Sequence, residues 1–213
     1  MDFDLTEEQS AMERTARSFA EKEIVPNLKK EEFDREQVRK MGNLGLFGCA
    51  FPEGLGGSAA GFLAHSVVCE TISTYDSGLR ALFNLQAMTV PYTIMEWGTD
   101  RLRRRHVKAL VSGERLGCTC FSEPNAGSDI AAVETKVVDR GDHFLINGTK
   151  TWISNGTVAE VAVVYGTFDR SLKHRGLCAV VVETDQPGWR PREIPKLGDK
   201  SSPIAEISLE DVA

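Results

Sequence analysis

Apolar side chains recur every three or four positions near the start of the chain, the spacing that places them on one face of a helix. These residues are Met12, Ala16, Phe19, Ala20 and Ile24. Ahead of them, Thr6 and Gln9 fit a capping box, in which each side chain accepts a hydrogen bond from the other residue's backbone amide. The pattern therefore predicts a helix that begins after Thr6 and that Pro26 ends.

The same periodicity predicts further helices through the first half of the chain. They cover residues 35–44, 59–74, 76–97 and 100–112. Asp34 is placed to cap the first of these, and Thr99 with Asp100 to cap the last. Pro91 is expected to kink or break the helix in which it lies. Residues 46–57 contain four glycines and a proline, so we predict a loop there.

From residue 116 the pattern changes to short runs rich in β-branched and aromatic residues, separated by Gly, Pro, Asn and Asp. The dipeptide Asn147-Gly148 between two such runs predicts a hairpin turn. Residues 161–165 are continuously apolar, so this strand is expected to be covered on both faces. The predicted strands are residues 133–138, 143–147, 149–154, 160–168, 176–183 and 205–209.

Helices first and strands second predict an α+β chain of two domains. We place a helical domain at residues 1–115 and a β domain at residues 116–213. Residues 203–213 are predicted to form a strand followed by an acidic turn, and the predicted helices are too few to cover the sheet as well as themselves. The chain therefore looks like one whose continuation is missing.

Composition narrows the function classes. The chain has 213 residues, 41% of them hydrophobic and 26% charged, with a net charge of −6. A soluble globular protein is expected, with no dedicated nucleic-acid or membrane surface. The five cysteines lack metal-ligand spacing and the four histidines are scattered, so we expect reduced core thiols and no metal site. An acidic N-terminus without a signal sequence predicts a cytoplasmic protein, or a mitochondrial-matrix protein if a transit peptide has been removed.

The residues best suited to bind a ligand are concentrated in two stretches of the chain. In the first, residues 120–129, Ser122, Gly127 and Ser128 follow a strand, and exposed loop amides with small side chains suit an anionic or heteroaromatic ligand. In the second, Trp152 and Ser154 lie two apart on a strand, where a flat ring and a hydroxyl could meet a heterocycle. Spacing alone favours the simpler interpretation, in which these residues are ordinary strand ends, a turn and a core tryptophan.

The segments SEPNAGSD at 122–129 and NGTKTWISN at 147–155 resemble the two flavin-binding signatures of the acyl-CoA dehydrogenase family. The opening FDLTEEQ at 3–9 and the KLG at 196–198 are among the supporting matches. The resemblance implies an all-α N-terminal domain, a barrel-like β middle domain, and a C-terminal helical domain that this chain does not include. Since that last domain carries the family's catalytic base, we nominate no catalytic residue.

The resemblance implies that FAD accepts a hydride from the β-carbon of an acyl-CoA thioester. Ser122 and Ser154 would hydrogen-bond the edge of the flavin, and Trp152 would pack against its rings. The family usually has threonine at the two serine positions; serine keeps the hydroxyl but lacks the methyl group, and binding is still expected. Ser128 would also face the acyl-CoA. The predicted cofactor-binding residues are Thr119, Cys120, Phe121, Ser122, Gly127, Ser128, Trp152, Ile153 and Ser154.

The stretch DSGLRA at 76–81 resembles the arginine motif of glutaryl-CoA dehydrogenases, in which the arginine meets a distal carboxylate of the substrate. Arg80 and Ala81 are therefore predicted substrate contacts. Ala81 departs from the expected serine, which keeps substituted succinyl-CoAs and alicyclic acyl-CoAs open. The alternative is that Arg80 pairs with Asp76 one turn away on an exposed helix face. Residues 85–89 would line the acyl pocket by position, or belong to the helix core.

Three functions remain in competition at this point: a dehydrogenase, an acyl-CoA oxidase on the same scaffold, and a non-catalytic flavin or acyl-CoA binding module. The resemblance also implies an electron-transferring flavoprotein as partner and a homotetramer. The basic residues between Arg101 and Lys108 are interpreted as a solvated or subunit-contact surface. Lys150 and Lys173 show no sign of burial or of a catalytic partner.

Overall fold

A computed structural model describes residues 4–213, so Phe3 of the opening motif lies outside the described residues. The chain forms two compact units. The first contains the residues up to Arg115 together with Leu197–Ser202, and the second contains Leu116–Lys196 and Pro203–Ala213. The assignment of Leu197–Ser202 to the helical unit differs from a division of the chain at a single point.

The first helix begins as predicted. Helix α1 spans Glu7–Phe19, and Thr6 and Gln9 form the reciprocal capping box. A π turn at Ala20–Ile24 and a 3-10 turn at Val25–Lys30 then continue the helical path. The run of α and π turns ends at Ile24, just before Pro26, as predicted. Pro26 itself lies at the start of the separate 3-10 turn, where its missing amide costs no hydrogen bond.

The remaining helices follow the predicted order. Asp34 caps α2 by accepting from the amides of Glu36 and Gln37, and Thr99 caps α6. A π turn, Leu85–Thr89, ends just before Pro91, which agrees with the predicted break in this helix. The bounds are α2 Arg35–Asn43, α3 Gly61–Ser73, α4 Ser77–Asn84, α5 Val90–Trp97, α6 Asp100–Leu102 and α7 Lys108–Val111, with a π turn at Arg103–Val107 between the last two.

The segment predicted as a loop contains two 3-10 turns, Leu46–Gly48 and Glu53–Leu55. Its apolar residues pack inward, and Phe47 lies tilted against Phe83 of α4 with ring centroids 5.7 Å apart. The fully buried side chains of the helical unit also include Phe51, Met41, Leu82 and Leu110. Their burial supplies the main stabilisation of this unit.

The second unit is a seven-stranded sheet. Six strands follow the order β1-β4-β2-β3-β7-β6, and β5 pairs with β4. The curled sheet after a helical unit confirms the predicted fold class. The strand bounds are β1 Gly117–Cys120, β2 Lys136–Asp139, β3 Phe144–Ser154, β4 Val161–Thr167, β5 Leu177–Glu183, β6 Trp189–Glu193 and β7 Ile204–Val212.

One feature of the core confirms a prediction from the pattern. Residues 161–164 of β4 are buried throughout, as the continuous apolar run requires. Cys118 and Cys120 share the core face of β1, with their sulfurs 3.8 Å apart. All five cysteines are free thiols. The hydrogen bond with Cys120, together with burial, raises the pKa of the Cys118 thiol, so this thiol is protonated at neutral pH.

Sequence reasoning missed β6, whose sequence WRPRE contains a proline and little apolar alternation. Only Trp189 of this strand is buried. The strand lies at the end of the sheet order and pairs with β7 alone. An edge position tolerates Pro191, because an edge strand has backbone amides that need no partner strand.

The predicted hairpin at Asn147-Gly148 is wrong, because β3 runs through both residues without a turn. A Cβ atom on Gly148 would lie 2.5 Å from Oγ1 and 2.8 Å from Cα of Thr135. The register with β7 also shifts between Ile146 and Gly148. The glycine is therefore required by close packing at a bulge rather than by a turn.

Within the described part of the chain, none of the helices has the length and apolar character needed to cross a membrane.

Replacing Gly148 with alanine should destabilise the protein by about 1–3 kcal/mol, because the new methyl group overlaps the backbone of Thr135. Urea unfolding measures the change. Gly54→Ala is the matched control, since a Cβ atom there meets no heavy atom within 4 Å. Equal stabilities for the two variants would show that the contact at Gly148 is not tight.

Candidate functional site

The first candidate stretch leaves β1 at Cys120 and turns back at once. The amide of Glu123 donates to the carbonyl of Ala126 at 2.8 Å, and the reverse bond measures 3.2 Å. Pro124 and Asn125 lie exposed at the tip of this turn. Beyond it, Gly127 and Ser128 are exposed, and a Cβ atom on Gly127 would meet nothing within 4 Å. The backbone at Gly127 and Ser128 is therefore accessible to a ligand, while buried Glu123 holds the start of the stretch in place.

The second candidate stretch is the end of β3, where the register with β7 shifts between Lys150 and Ile153. Trp152 has a φ of 60°, a left-handed conformation that is uncommon for an aromatic residue. Its side chain is 63% exposed, whereas Ile153 beside it belongs to the core cluster. The interpretation of Trp152 as a core tryptophan is therefore wrong. Trp152 and half-buried Ser154 alternate with the buried residues and share the opposite side of the strand.

A buried ion pair joins the two stretches. The Lys150 ammonium donates to Glu123 Oε1 at 2.8 Å and to the carbonyl of Phe121 at 3.1 Å. The two side chains are only 0% and 4% exposed. A backbone bond runs parallel to the pair, from the amide of Thr151 to the carbonyl of Ser122 at 2.9 Å. The expectation that Lys150 lacks burial and a carboxylate partner is wrong.

The Glu123 carboxylate is further held by the next segment of chain. Its Oε2 accepts from the amide of Glu134 at 2.7 Å, and its Oε1 accepts from the amide of Thr135 at 2.9 Å. Burial alone raises the pKa of Glu123, but the hydrogen bonds from Lys150, Thr135 and Glu134 outweigh burial and lower it. Glu123 is therefore a carboxylate at neutral pH. Burial lowers the pKa of Lys150, and the bond to Glu123 partly offsets that effect.

The side chains around these stretches divide between the two faces of the sheet. Cys118 and Cys120 enter the core cluster, so Thr119 lies on the opposite face of β1. Phe121 stacks on Tyr165 with ring centroids 3.8 Å apart, and both rings border an apolar cavity of about 260 Å³. Because the Phe121 ring is stacked on Tyr165, the part of Phe121 that could contact a ligand is its backbone.

Several hydroxyl groups at the predicted flavin positions have no partner among residues 4–213. Thr119 Oγ1 is buried and makes no hydrogen bond. The hydroxyls of Ser122, Ser128 and Ser154 likewise make no hydrogen bond within the described chain. A buried hydroxyl without a partner is unfavourable, so Thr119 is suited to a ligand with polar ring atoms. Free hydroxyls, an exposed tryptophan and an open glycine together fit a flavin.

In the helical unit, the Asp76 carboxylate has two partners, neither of which is Arg80. It accepts from the amide of Leu79 at 2.9 Å as the cap of α4, and from the hydroxyl of Ser201 at 2.8 Å. Ser77 bonds Asp199, so the Leu197–Ser202 segment is anchored at the start of this helix. The alternative in which Arg80 pairs with Asp76 is therefore wrong.

The Arg80 guanidinium is half-buried and makes no hydrogen bond or ion pair within residues 4–213. Its charge reaches Cys69 of α3, and His65 lies one turn before Cys69 on the same helix. Burial raises the pKa of Cys69, and the charge of Arg80 partly offsets the rise. Burial lowers the pKa of His65, which keeps its ring neutral at pH 7, and a hydrogen bond with Asn84 partly offsets that effect. An unpaired cation beside neutral polar groups suits an anionic ligand.

The Leu85–Thr89 turn, predicted either to line an acyl pocket or to be helix core, contains both buried and half-buried residues. Gln86 and Ala87 of the Leu85–Thr89 turn are fully buried, and Gln86 donates to the carbonyl of Arg115 at 2.7 Å. Leu85 and Met88 are half-buried, on the same stripe of the helix as Arg80 and Asn84. Ala81 adjoins this stripe and is also half-buried.

Sequence reasoning missed the Glu123–Lys150 pair, the His65–Asn84 contact and the anchoring of Leu197–Ser202. Glu123 lies in one flavin-like motif and Lys150 in the other. Because both motifs are expected to meet at one cofactor, the sequence could have indicated that these two residues lie close together. The other two contacts left no sequence signal, since they join residues that are distant along the chain. Among residues 4–213, no cluster of three His, Cys, Asp or Glu side chains is placed to hold a metal ion.

Comparison with known proteins adds a family match for each unit. The model of the acyl-CoA dehydrogenase N-terminal domain matches residues 6–114, and the model of the acyl-CoA dehydrogenase middle domain matches residues 118–212. Together the two matches cover the helical and the β unit.

Individual relatives agree. Glutaryl-CoA dehydrogenase of Desulfococcus multivorans is 39% identical over all of this chain and 57% of its own length. A solved glutaryl-CoA dehydrogenase in complex with glutaryl-CoA superposes with a TM-score of 0.96 at 39% identity, covering all of this chain and 56% of that one. The Mycobacterium smegmatis glutaryl-CoA dehydrogenase in complex with FADH2 gives a TM-score of 0.90 at 28% identity, over 98% of this chain and 54% of that one. The chain thus spans little more than half the length of these relatives.

Proposed function

The chain belongs to the acyl-CoA dehydrogenase family, and on that premise we propose that it supplies the flavin-binding part of an enzyme that oxidises an acyl-CoA thioester between its α- and β-carbons. The observation that carries the proposal is the convergence of two signature stretches on one buried ion pair, with unpartnered hydroxyls and an exposed tryptophan beside it. A buried hydroxyl without a partner is unfavourable, and a flat polar ligand bound at this surface would supply the missing partner.

FAD is the proposed cofactor, and when bound it supplies the acceptor for the hydride. The hydroxyls of Ser122 and Ser154 would donate to the edge of the ring system, and Thr119 would gain the partner that it lacks within the chain. Trp152 would cover the rings, and the backbone at Gly127 and Ser128 would approach closely. Donors at a ring edge stabilise negative charge that develops during reduction.

The proposed substrate carries a carboxylate at the far end of its acyl group. The support is the guanidinium of Arg80, which makes no hydrogen bond or ion pair within the described chain. Asn84, one turn along α4, carries no charge that could compete for it. A guanidinium binds a carboxylate through two parallel hydrogen bonds. Glutaryl-CoA and substituted succinyl-CoAs meet this requirement. Since Ala81 offers no hydroxyl, recognition of the carboxylate would rest on Arg80, with the Asn84 side chain one turn along α4.

The proton-abstracting base is proposed to come from residues outside this chain, because none of its carboxylates lies in a motif that suggests that role. Glu123 is excluded, since its oxygens are occupied by Lys150 and two backbone amides. A homotetramer and an electron-transferring flavoprotein as electron acceptor are proposed from the family resemblance.

The full-length protein that contains this chain should bind FAD, and anaerobic addition of glutaryl-CoA or a substituted succinyl-CoA should bleach the flavin absorbance. Free glutarate is the control and should leave the spectrum unchanged. A flavin that stays oxidised with carboxylated and simple acyl-CoAs alike would contradict the proposed reaction. Rapid reoxidation of the reduced flavin by oxygen would favour the oxidase alternative instead.

Arg80→Ala should lower kcat/KM for glutaryl-CoA by about 10–150-fold, the equivalent of a charge-assisted interaction of about 1.5–3 kcal/mol. The value for butyryl-CoA, which has no distal carboxylate, should stay nearly constant. Arg104→Ala, on an exposed helix position of the same unit, is the matched control. Equal losses for both substrates would mean that Arg80 has a structural role only.

Gly127→Ala should leave thermal stability within about 0.5 kcal/mol of the wild type, since the new methyl group contacts nothing in the chain. FAD affinity should fall about tenfold or more, because a side chain at this position keeps the backbone away from the ligand. Fluorescence titration with FAD measures the loss, and Gly54→Ala serves as control. Unchanged affinity would remove Gly127 from the proposed flavin site.

A further inference from the structure

We propose that Glu123 and Lys150 are a positioning pair for the flavin: their ion pair sets the distance and orientation between the loop after β1 and the bulge at the end of β3. The inference rests on the proposed function, because it assumes that these two stretches hold FAD. It assigns no contact with the cofactor to either side chain.

The arrangement of hydrogen bonds is the first support. Lys150 reaches the carbonyl of Phe121 as well as Glu123, so one ammonium fixes the main chain on either side of Ser122. The amide of Thr151 holds the carbonyl of Ser122 itself. Each residue of 121–123 is therefore bonded to Lys150 or its neighbour, whereas the Ser122 hydroxyl makes no hydrogen bond within the described chain.

The backbone of the second stretch is the next support. Lys150 is buried, and two residues later Trp152 is exposed with a φ of 60°. Such a conformation costs on the order of 1 kcal/mol or more and persists only where the surroundings impose it. Lys150 anchors the strand on one side of Trp152, and buried Ile153 anchors it on the other. The pair thus holds the bulge that displays the tryptophan.

The energetic cost of the pair is the third support. Removing an ammonium and a carboxylate from water is unfavourable by several kcal/mol per ion unless geometry and further hydrogen bonds compensate. Apolar side chains would fill this volume at lower cost, but they could not bond the carbonyl of Phe121 or the amides of Glu134 and Thr135. What the charges provide is a fixed relation among three backbone segments.

The test separates positioning from stability in the full-length protein. Glu123→Gln keeps the side-chain volume and removes the charge, and Lys150→Met removes the ammonium. Val182→Ala, which truncates a buried core side chain in the same sheet, is a control that destabilises by another route. Each variant's melting temperature is measured first, and FAD affinity and the visible circular dichroism of bound FAD are then measured where every variant is fully folded.

Positioning predicts that Glu123→Gln and Lys150→Met bind FAD about 10–100-fold more weakly, the range seen when supporting contacts are lost at preorganised sites. The circular dichroism of the flavin should also change, whereas Val182→Ala should match the wild type in both. If all three variants keep wild-type affinity, or if Val182→Ala loses as much as the others, the inference is overturned. Should Lys150→Met fail to fold, Glu123→Gln decides alone. A wild-type protein that binds no FAD would instead overturn the proposed function.

Discussion

Placing the Lys150 ammonium inside the β unit is unfavourable unless the charge is paired and hydrogen-bonded, and this requirement organises the loops around it. Glu123 supplies one acceptor and the carbonyl of Phe121 another. Because Glu123 must also be satisfied, it draws in the amides of Glu134 and Thr135. One pair of charges therefore brings together chain segments that begin after β1, before β2 and within β3, and the surface they form is the candidate flavin site.

The helical unit follows a contrasting principle, in which a charge is kept without a partner. Asp76 is the natural neighbour for Arg80, yet the start of α4 and the Ser201 hydroxyl use its carboxylate. Gly78 permits this arrangement, since a Cβ atom there would collide with Ser201. An arginine left free in this way retains its full capacity to bind an external carboxylate. In the β unit, the Glu123–Lys150 ion pair thus fixes the backbone. In the helical unit, Arg80 has no such partner and remains available to bind a ligand.

Local signals were reliable wherever a structure depends on neighbours in sequence. The capping box at Thr6 and the cap at Asp34 were predicted correctly, because a cap involves residues only two or three positions apart. The prediction of a hairpin at Gly148 was wrong for the opposite reason. The glycine is required by its close contact with Thr135, which lies just before β2 and is distant along the chain. Edge strand β6 was missed since its pairing with β7, rather than its own composition, makes it a strand.

The amino-acid sequence by itself determined that helices precede strands, the fold class, the family and the two stretches that carry the candidate cofactor site, because periodicity, caps and motifs are local properties. Only the tertiary structure decided that Lys150 is buried against Glu123, that Trp152 is exposed and that Arg80 has no internal partner. Burial and pairing depend on which distant segments meet in space. No spacing along the chain encodes that directly, and the chemistry of the candidate site depends on it.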